Sequence, residues 1–383
     1  MNAISFTHIA PDPTHDELRA EVRDFLATEL RDMLSHRRAL SWTGADPAFS
    51  RKLGQRGWLG MTWPRTYGGH ERSAFERLVV IEELLAAGAP VSAHWIADRQ
   101  SGPLLLRVGT EEQKQKYLPR IAAGECFISA GLSEPDTGSD LASARMTAKR
   151  VDGGFVLNGT KIWTTQAHNA HAMIVLCRTS PPDDGARHAG FSQVIVEFPC
   201  DGVTISPIID IQGEHHFNEV VFRDAFVPES GLLGREGDGW AQIISELASE
   251  RSGPERFLSS FVLLNELVRH FERETTDPSV AAEIGRAVAH LVVLRNMSRS
   301  VAAMIEAGTD PNVQAAMVKD LGATYEQETV DIVRRLVSLV PDPEGTPLAR
   351  VFATTLFQSP SFSLRGGARE ILRGIIARGM GLR

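Results

Sequence analysis

The first part of the chain, up to about residue 125, carries apolar residues at helical spacing. A helical stripe follows Thr14 and Glu17, which stand at the spacing of a capping box. The segment AFERLVVIEELLAAGA repeats the same period, and GTEEQKQKYLPRIAAGE opens with a second candidate cap, Thr110 followed by Gln113. This pattern predicts an N-terminal all-α domain over residues 1–125.

Between residues 126 and 233 the period changes to that of β-strands. Runs rich in β-branched and aromatic residues follow one another, among them ARMTAKRV, GFVLNGTKIW, AMIVLCRT, FSQVIVEF, VTISPII and NEVVFRDAFVP. An Asp-Gly-Gly turn at residues 152–154 joins the first two of these runs. We expect a middle β domain here, either a sandwich or a small barrel.

From residue 234 to residue 383 the helical period returns. Long segments with broad apolar faces predict antiparallel helices packed as a bundle, with a proline-rich link, VPDPEGTP, before the last segment. The sequence therefore predicts an α+β multidomain protein with a helical domain, a β domain and a second helical domain. Ligand sites favour the interfaces between domains, so we expect the functional site where the three domains meet.

Composition and charge narrow the function. The chain has 383 residues, of which 43% are hydrophobic and 23% charged, and its net charge is -8. An acidic chain without a basic patch argues against a nucleic-acid partner. No apolar run approaches the roughly 18 residues that span a bilayer, and the N-terminus lacks the features of a secretion signal. We therefore expect a cytoplasmic protein with no membrane span.

The cysteines and histidines do not indicate a metal site. Cys126, Cys177 and Cys200 are widely spaced and odd in number, which favours free thiols over a disulfide or a metal site. His215 and His216 are adjacent, and neighbouring side chains point in different directions on a helix or a strand. We expect no metal.

Two stretches in the middle region carry the candidate chemistry. GLSEPDTGSD offers backbone N–H groups and hydroxyls with little bulk around them, and LNGTKIWTT places a single Trp between a strand and two threonines. Such a loop suits a flat ligand that is gripped by hydrogen bonds. On residue type alone, Trp163 could equally be a core aromatic.

These two stretches, together with GREGDGW and the closing RGGAREILRGIIARG, resemble the acyl-CoA dehydrogenase family of flavoproteins. The resemblance runs over nearly the whole chain, with the four motifs in order. It implies a C-terminal four-helix bundle, FAD as cofactor and an acyl-CoA thioester as substrate. The shortened final loop is similar to that of a bacterial branch that includes sterol side-chain and aliphatic catabolic dehydrogenases.

The resemblance implies roles for individual residues. Leu132 and Ser133 would bond the flavin pyrimidine, Trp163 would cover the flavin face, and Thr165 would reach the edge of the ring that accepts hydride. Ser139 matches a position near the pantetheine arm of the thioester, although a turn-capping role is an alternative.

The base that removes the alpha proton is not where most of the family carries it. Alignment through REILR places Gly366 at that position, and glycine has no side chain to accept a proton. In a minority of the family the glutamate lies on a helix just before an arginine, and Glu250 and Arg251 match that pair. The resemblance therefore implies Glu250 as catalytic base, Arg251 as a CoA contact and the Gly366 amide as a contact to the thioester oxygen. The alternatives are a surface glutamate and a structural ion pair of Arg251.

A second departure concerns the adenosine half of FAD. Homotetrameric members carry an Arg-x-x-Phe-Gly loop that reaches the pyrophosphate of a neighbouring subunit, and this chain contains no Phe-Gly pair. Ala368 also replaces a hydroxyl residue that touches FAD in the family. We expect weaker retention of FAD or a partner chain that completes its site, with Arg256 or Arg365 as possible substitutes.

The resemblance also implies partners. An electron-transferring flavoprotein would accept the electrons, and the chain would form a homo- or hetero-oligomer, a dimer or a tetramer. The leading function is dehydrogenation of an acyl-CoA to the trans-2-enoyl-CoA. The alternatives are a partner subunit of a heteromeric dehydrogenase and a flavin monooxygenase or nitroalkane oxidase on the same fold.

Overall fold

The computed structural model describes residues 4–10, 12–181, 185–250, 253–272 and 277–382, with only the backbone of residues 247–250. Packing divides the chain into two compact units. The first comprises Met1–Gly44, Arg72–Val91 and Ala248–Arg383, and the second comprises Ala45–Glu71 and Ser92–Leu247. The division into three domains at residues 125 and 233 remains a prediction.

The helices of the described residues follow in chain order. They are α1 (Asp16–Glu29), α2 (Ser35–Arg38), α3 (Pro47–Gln55), α4 (Ala74–Ala86), α5 (Ser92–Ile96), α6 (Gly102–Val108), α7 (Glu111–Ala122), α8 (Gly239–Glu250), α9 (Phe261–Phe271), α10 (Pro278–Glu306), α11 (Asn312–Leu336), α12 (Pro347–Phe362) and α13 (Arg369–Gly379). Helices α3, α5, α6 and α7 belong to the second unit, and α8 runs from the second unit into the first.

Helix α11 is the central helix of the first unit. It packs against α9, α10, α12 and α13, while α4 packs against α1 and α10. Its buried positions, such as Val318, Val330 and Val333, fall on the apolar stripe that the helical period marks in the sequence. The predicted C-terminal bundle is confirmed.

Helix capping is confirmed at one predicted position and wrong at the other. Thr110 and Gln113 form a reciprocal capping box on α7, with Gln113 N donating to Thr110 Oγ1 at 3.2 Å. The expected cap at Thr14 does not form. Asp12 instead caps a single 3-10 turn, Pro13–His15, and α1 begins directly after that turn. Pro13 favours this outcome because it presets the backbone at the start of the turn.

Among the described residues, eight strands form one mixed sheet in the order β6-β7-β3-β2-β4-β5-β8, with β1 parallel to β4. They are β1 (Ile128–Gly131), β2 (Thr147–Val151), β3 (Gly154–Thr165), β4 (Ala172–Arg178), β5 (Phe191–Glu197), β6 (Val203–Ile209), β7 (His215–Pro228) and β8 (Leu232–Leu233). The predicted hairpin of β2 and β3 is confirmed, and Gly153 takes a φ of 77° in its turn. The predicted α+β fold is confirmed.

The sheet is covered on both faces in its centre. Met173 and Val175 of β4 pack into a core with Phe155 of β3 and Phe222 of β7. The alternate residues of β4, Ala172 and Ile174, pack into a second core with residues of α6 and α7. Because β4 is buried on both faces, its position is fixed, and so is that of β1, which pairs with it.

The remaining predictions about chemistry concern metals and membranes. Cys126, Cys177 and Cys200 are free thiols. Within the described ranges, no group of three or more His, Cys, Asp or Glu side chains is placed to hold a metal ion. In the same ranges, every helix is too short or too polar to cross a bilayer.

Candidate active site

The Ser133 loop (Leu132–Asp140) begins where β1 ends. Strand β1, Ile128–Gly131, was not predicted, because four residues are too few to show a strand period. It is nevertheless what positions Leu132 and Ser133, since the parallel pairing of Gly131 with Val175 fixes the end of the strand. Leu132 and Ser133 are both half-buried at this edge.

A buried ion pair ties this loop to β3. Lys161 Nζ lies 2.9 Å from Glu134 Oε1 and also donates to Leu132 O at 3.0 Å. The Glu134 carboxylate accepts two further bonds, from the backbone N–H groups of Arg145 at 2.7 Å and Met146 at 2.9 Å. Every oxygen of the carboxylate is therefore engaged, and the Ser133 loop is anchored from two sides.

The directions in which the pKa values of Glu134 and Lys161 shift follow from burial and from the ion pair. Burial by itself would raise the pKa of Glu134, but the Lys161 ammonium and the hydrogen bonds hold that pKa below its ordinary value. Burial is also the main cause that lowers the pKa of Lys161, and the glutamate opposes it. Glu134 and Lys161 stand in the two motifs LSEP and TKIW. Their pairing was not predicted from the sequence.

Trp163 lies on a bulge at the end of β3. The register of β3 against β7 shifts between Lys161 and Thr164, and Trp163 takes a φ of 56° there. The indole is 57% exposed and touches Phe217 edge-on, with ring centroids 5.8 Å apart. A positive φ on a bulky residue costs about 1–2 kcal/mol, so the bulge is a strained feature that presents the indole outward. Trp163 is not a core aromatic.

The bulge and the Ser133 loop lie side by side. Ile162 N donates to Ser133 O at 3.0 Å, which places the residue before Trp163 against the loop. Thr165 is half-buried and pairs with Phe217, and the buried Thr164 Oγ1 lacks a hydrogen-bond partner among the described residues. Backbone N–H groups, hydroxyls and an exposed aromatic face are thus gathered at one edge, which suits a flat, hydrogen-bonding ligand.

Polar side chains support the bulge from β7. Asn218 Nδ2 donates to Thr164 O at 3.0 Å, and its Oδ1 meets rings of two histidines, His168 at 3.1 Å and His215 at 2.8 Å. The two imidazoles stack with centroids 3.8 Å apart. His215 therefore belongs to a hydrogen-bonded cluster beneath Thr164, a role that its adjacency to His216 did not indicate.

Ser139 lies farther along the same loop. It is exposed, and its neighbour Asp140 accepts a hydrogen bond from Ser143 Oγ at 2.5 Å and pairs with Arg187. The loop end is therefore fixed through Asp140 rather than through Ser139. The exposed hydroxyl of Ser139 stays available to a ligand.

The residues matched to the catalytic base lie in the first unit. Glu250 is the last residue of α8, but its side chain lies outside the described residues, and so does Arg251. Gly366 lies in the Gly366 loop (Ser363–Ala368), which joins α12 to α13, and takes a φ of 66°. The next residue, Gly367, has a φ of 107°, so the loop follows a path that only glycines take easily.

Arg256 is buried beside this loop, and Arg365, which belongs to the loop, is largely buried, with its side chain 10% exposed. Arg256 is 3% exposed, and Arg365 Nη2 pairs with Glu326 Oε2 at 2.7 Å. Burial lowers the pKa of Arg365, partly offset by Glu326. Both arginines make contacts inside the helical unit, and their role as substitutes for the missing pyrophosphate contact stays a prediction.

Ala368 occupies the N-cap position of α13. Its φ of -62° and ψ of 146° are those of an ordinary cap, but alanine offers no oxygen to the first turn. A hydroxyl at this position would have capped α13.

The stretch from Ser92 to Val108 is an interrupted helix. Helices α5 and α6 are joined by a π-helical turn, Ala97–Ser101. Trp95 is buried, and the guanidinium of Arg99 lies over its ring, 4.9 Å from the centroid. Asp98 in the same turn accepts a hydrogen bond from Gly60 N at 2.7 Å. π-turns inside helices are frequent at functional sites.

Comparison with known proteins accounts for this architecture. Three family models match in order: the acyl-CoA dehydrogenase N-terminal domain over residues 12–125, the middle domain over 129–225 and the C-terminal domain over 237–381. Acyl-CoA dehydrogenase FadE29 of Mycobacterium tuberculosis is 30% identical over 376 residues, which cover 95% of this chain and 96% of that protein. The chain belongs to the acyl-CoA dehydrogenase family. It is an oxidoreductase that acts on acyl-CoA, and its cofactor is FAD.

Two solved structures resemble this chain over nearly its whole length. The Tcur3481-Tcur3483 steroid ACAD has a TM-score of 0.87 at 29% identity, covering 98% of this chain and 99% of that one. The ChsE4-ChsE5 complex from Mycobacterium tuberculosis has a TM-score of 0.84 at 28% identity, covering 98% and 100%. The names of both proteins have two components.

Proposed function

We propose that this acyl-CoA dehydrogenase converts an acyl-CoA thioester to the trans-2-enoyl-CoA, with Glu250 as the base that removes the alpha proton. The observation that supports this most strongly is Gly366. The position that carries the base in most of the family has no side chain here, and its backbone lies against the Arg256 guanidinium. A glutamate at the end of α8 is the remaining family position for the base.

FAD supplies the acceptor for the hydride that leaves the beta carbon. The groups at the Ser133 loop and the bulge support this assignment, since an exposed indole adjoins half-buried hydroxyls there. We assign Leu132, Ser133, Trp163 and Thr165 to the ring. The backbone N–H groups and the Ser133 hydroxyl would orient it, and Trp163 would keep water from one face.

The substrate contacts are assigned on the same basis. We propose that Ser139 contacts the pantetheine arm, that Arg251 contacts the CoA moiety, and that the Gly366 N–H donates to the thioester oxygen. A donor at that oxygen makes the alpha proton more acidic, because it stabilises the negative charge that forms on the oxygen as the proton leaves. Trp95 and Arg99 on the interrupted helix would then shape the acyl end of the site.

The substrate class follows the relatives. We propose a steroid-derived or other lipid acyl group, because the Tcur3481-Tcur3483 protein is described as a steroid ACAD. This would place the chain in a β-oxidation type of lipid breakdown, with an electron-transferring flavoprotein as electron acceptor. The cytoplasmic location remains a prediction.

We propose that the active form is an oligomer with identical or unlike subunits. Three valines of α10, Val288, Val292 and Val293, are 43%, 51% and 54% exposed. Val288 and Val292 lie one turn apart on the same side of the helix with Val293 next to them, and such an apolar patch is typical of a surface that another chain covers. The three-domain division at residues 125 and 233 is proposed for each subunit.

The proposal is tested by Glu250→Gln. The amide keeps the volume and removes the basicity, so kcat should fall by about 10²–10⁴-fold while the fold and the flavin content stay unchanged. The matched control is Glu246→Gln on the same helix, since Glu246 accepts a bond from Gln193 at 3.1 Å and an amide oxygen can do the same. Activity of Glu250→Gln above a tenth of the wild-type value would place the base elsewhere.

A rescue arm separates the two base positions. Gly366→Glu in the Glu250→Gln background should not recover the rate, because Gly366 has a φ of 66° and a Cβ there would lie 2.7 Å from Arg256 Nη1. A substantial recovery would show that the loop accepts a side chain after all.

A second candidate function is a partner subunit that completes the site of another chain. Ala368 and the missing Phe-Gly pair favour it, since both weaken the hold on FAD. Flavin absorbance of the chain purified alone distinguishes the two. A colourless protein that acquires flavin and activity only with an unlike subunit would support the second candidate.

A further inference from the structure

The turn that follows α8 carries a buried arginine. Residues Pro254–Arg256 form a 3-10 turn, and Arg256 is 3% exposed. Its peptide lies directly against α11, since a Cβ on Gly322 would stand 2.2 Å from Arg256 O. The backbone of Arg256 is therefore packed directly against α11, the central helix of the first unit.

The side chain of Arg256 lies beneath the Gly366 loop. A Cβ on Gly366 would stand 2.7 Å from Nη1, 2.8 Å from Cζ and 2.9 Å from Nη2 of Arg256. All three atoms belong to the planar guanidinium, so the plane packs against the Cα of Gly366. The space that a side chain would take at position 366 is occupied by Arg256.

The Gly366 loop also contributes an arginine that contacts the 3-10 turn. Arg365 Nη2 donates to Ser259 Oγ at 2.6 Å and to Glu255 O at 3.3 Å. The Arg365 guanidinium also lies over two aromatic rings, 4.8 Å from the centroid of Trp42 and 4.5 Å from that of Phe362. Arg256 of the turn therefore packs against the loop, and Arg365 of the loop donates a hydrogen bond to the turn.

Two buried glutamates balance the charges. Glu326 accepts from Arg365 at 2.7 Å and from Ser259 N at 2.9 Å, and Glu255 Oε1 lies 3.7 Å from Arg256 Nε. Glu255 and Glu326 are each 1% exposed. Replacing buried ion pairs with apolar residues is often neutral or stabilising, so a gain in stability alone is a weak explanation for four buried charges.

We propose that Arg256 and Arg365 form a reciprocal arginine interlock that fixes the backbone of Gly366, so that its N–H holds the thioester oxygen. Both arginines are positioning residues. The proposal rests on the proposed function. A glycine at positive φ flanked by a second glycine has much backbone freedom, and a donor amide must be held within about 0.5 Å of its working position.

The first arm of the test uses Arg256→Lys, which keeps the charge but exchanges the rigid plane for a flexible chain. We expect kcat to fall about ten- to a hundredfold, since a misplacement of about 1 Å can cost about 10²-fold, with little change in KM. Exchange of the alpha hydrogens of a bound acyl-CoA in D2O should fall in parallel, because the carbonyl is less polarised. The matched control is Arg373→Lys, an exposed partner of Asp320 at 3.3 Å.

The second arm reads the geometry without activity. Gly366→Ala should lower the midpoint of thermal unfolding further in the wild-type background than in the Arg256→Lys background, because the lysine can move away from the new methyl group. Arg256→Lys with wild-type kcat and wild-type exchange would overturn the interlock, and equal losses in both backgrounds would do so as well. If the wild-type protein with flavin oxidises no acyl-CoA, the proposed function itself is wrong, and that outcome is distinct.

Discussion

The Ser133 loop and the Gly366 loop differ in the part of the chain that they present. The Ser133 loop and the adjoining bulge present side chains: an indole that is 57% exposed and hydroxyls at a strand edge. The Gly366 loop presents backbone alone, and a guanidinium occupies the space of its absent side chain. Both are anchored by buried ion pairs, one pair in the first case and a set of four charges in the second. Buried ion pairs therefore hold both loops in place, although one loop exposes side chains and the other exposes backbone.

The largest effect is expected from breaking the anchor of the Ser133 loop. Lys161→Met leaves the Glu134 carboxylate buried without its cation, and removing one partner of a buried pair costs about 3–5 kcal/mol. We expect a matching fall in the free energy of unfolding, measured by urea denaturation, together with loss of bound flavin.

The control for this change is Lys149→Met, which alters an exposed lysine of β2 in the same sheet. The double variant Lys161→Met with Glu134→Gln should recover part of the loss, since the uncompensated charge is then gone. A Lys161→Met protein as stable as the wild type would mean that the ion pair does not anchor the loop.

A smaller effect is expected from the exposed ring itself. Trp163→Ala should weaken FAD binding about ten- to a hundredfold. The reason is that stacking of a nucleic-acid base on an aromatic side chain contributes about 1–3 kcal/mol, and we expect a similar contribution for the flavin ring. Stability should change little, because the indole makes few buried contacts. Titration of the flavin-free protein with FAD measures the affinity.

Phe226→Ala provides the comparison for this variant. Phe226 of β7 is 49% exposed, close to the exposure of Trp163, and lies outside the candidate site residues. FAD affinity should be unchanged in this variant. Equal losses of affinity in both variants would point to a general effect on the sheet rather than to a contact with the ring.

The smallest effect, and the only gain, is expected at the end of the Gly366 loop. Ala368→Thr supplies the missing N-cap of α13, which should stabilise the protein by about 0.5–2 kcal/mol. The backbone there already has cap geometry, with ψ at 146°. Thermal unfolding measures the gain, and Ala368→Val is the matched control because it has the same shape without the oxygen. A gain shared by both variants would contradict the capping explanation.

How far the sequence predicts these features depends on the distance between partners. The strands β2 to β7 and the capping box of Thr110 depend on neighbouring residues, so their patterns are visible in the chain. The short strand β1 and the cap at Asp12 were missed, because four residues show no period and a proline changed the register of the first turn.

The site was predicted unevenly for the same reason. Leu132, Ser133, Trp163 and Thr165 stand in two motifs, and the structure brings those motifs together through the bond between Ile162 N and Ser133 O. The approach of Arg256 to Gly366 joins residues that are far apart in the chain, and the sequence contains no periodic pattern that would reveal it. Only Gly366 itself was marked, as a missing glutamate.

The guanidinium under Gly366 also constrains which substitutions position 366 accepts. A glutamate introduced at position 366 would collide with this guanidinium, because its Cβ would stand 2.7 Å from Arg256 Nη1. Losing Arg256 first would take away the cation that lies 3.7 Å from the buried Glu255. Each single change is unfavourable before the other has occurred. Positions 256 and 366 are therefore epistatic, since a side chain at position 366 requires a change at position 256 as well.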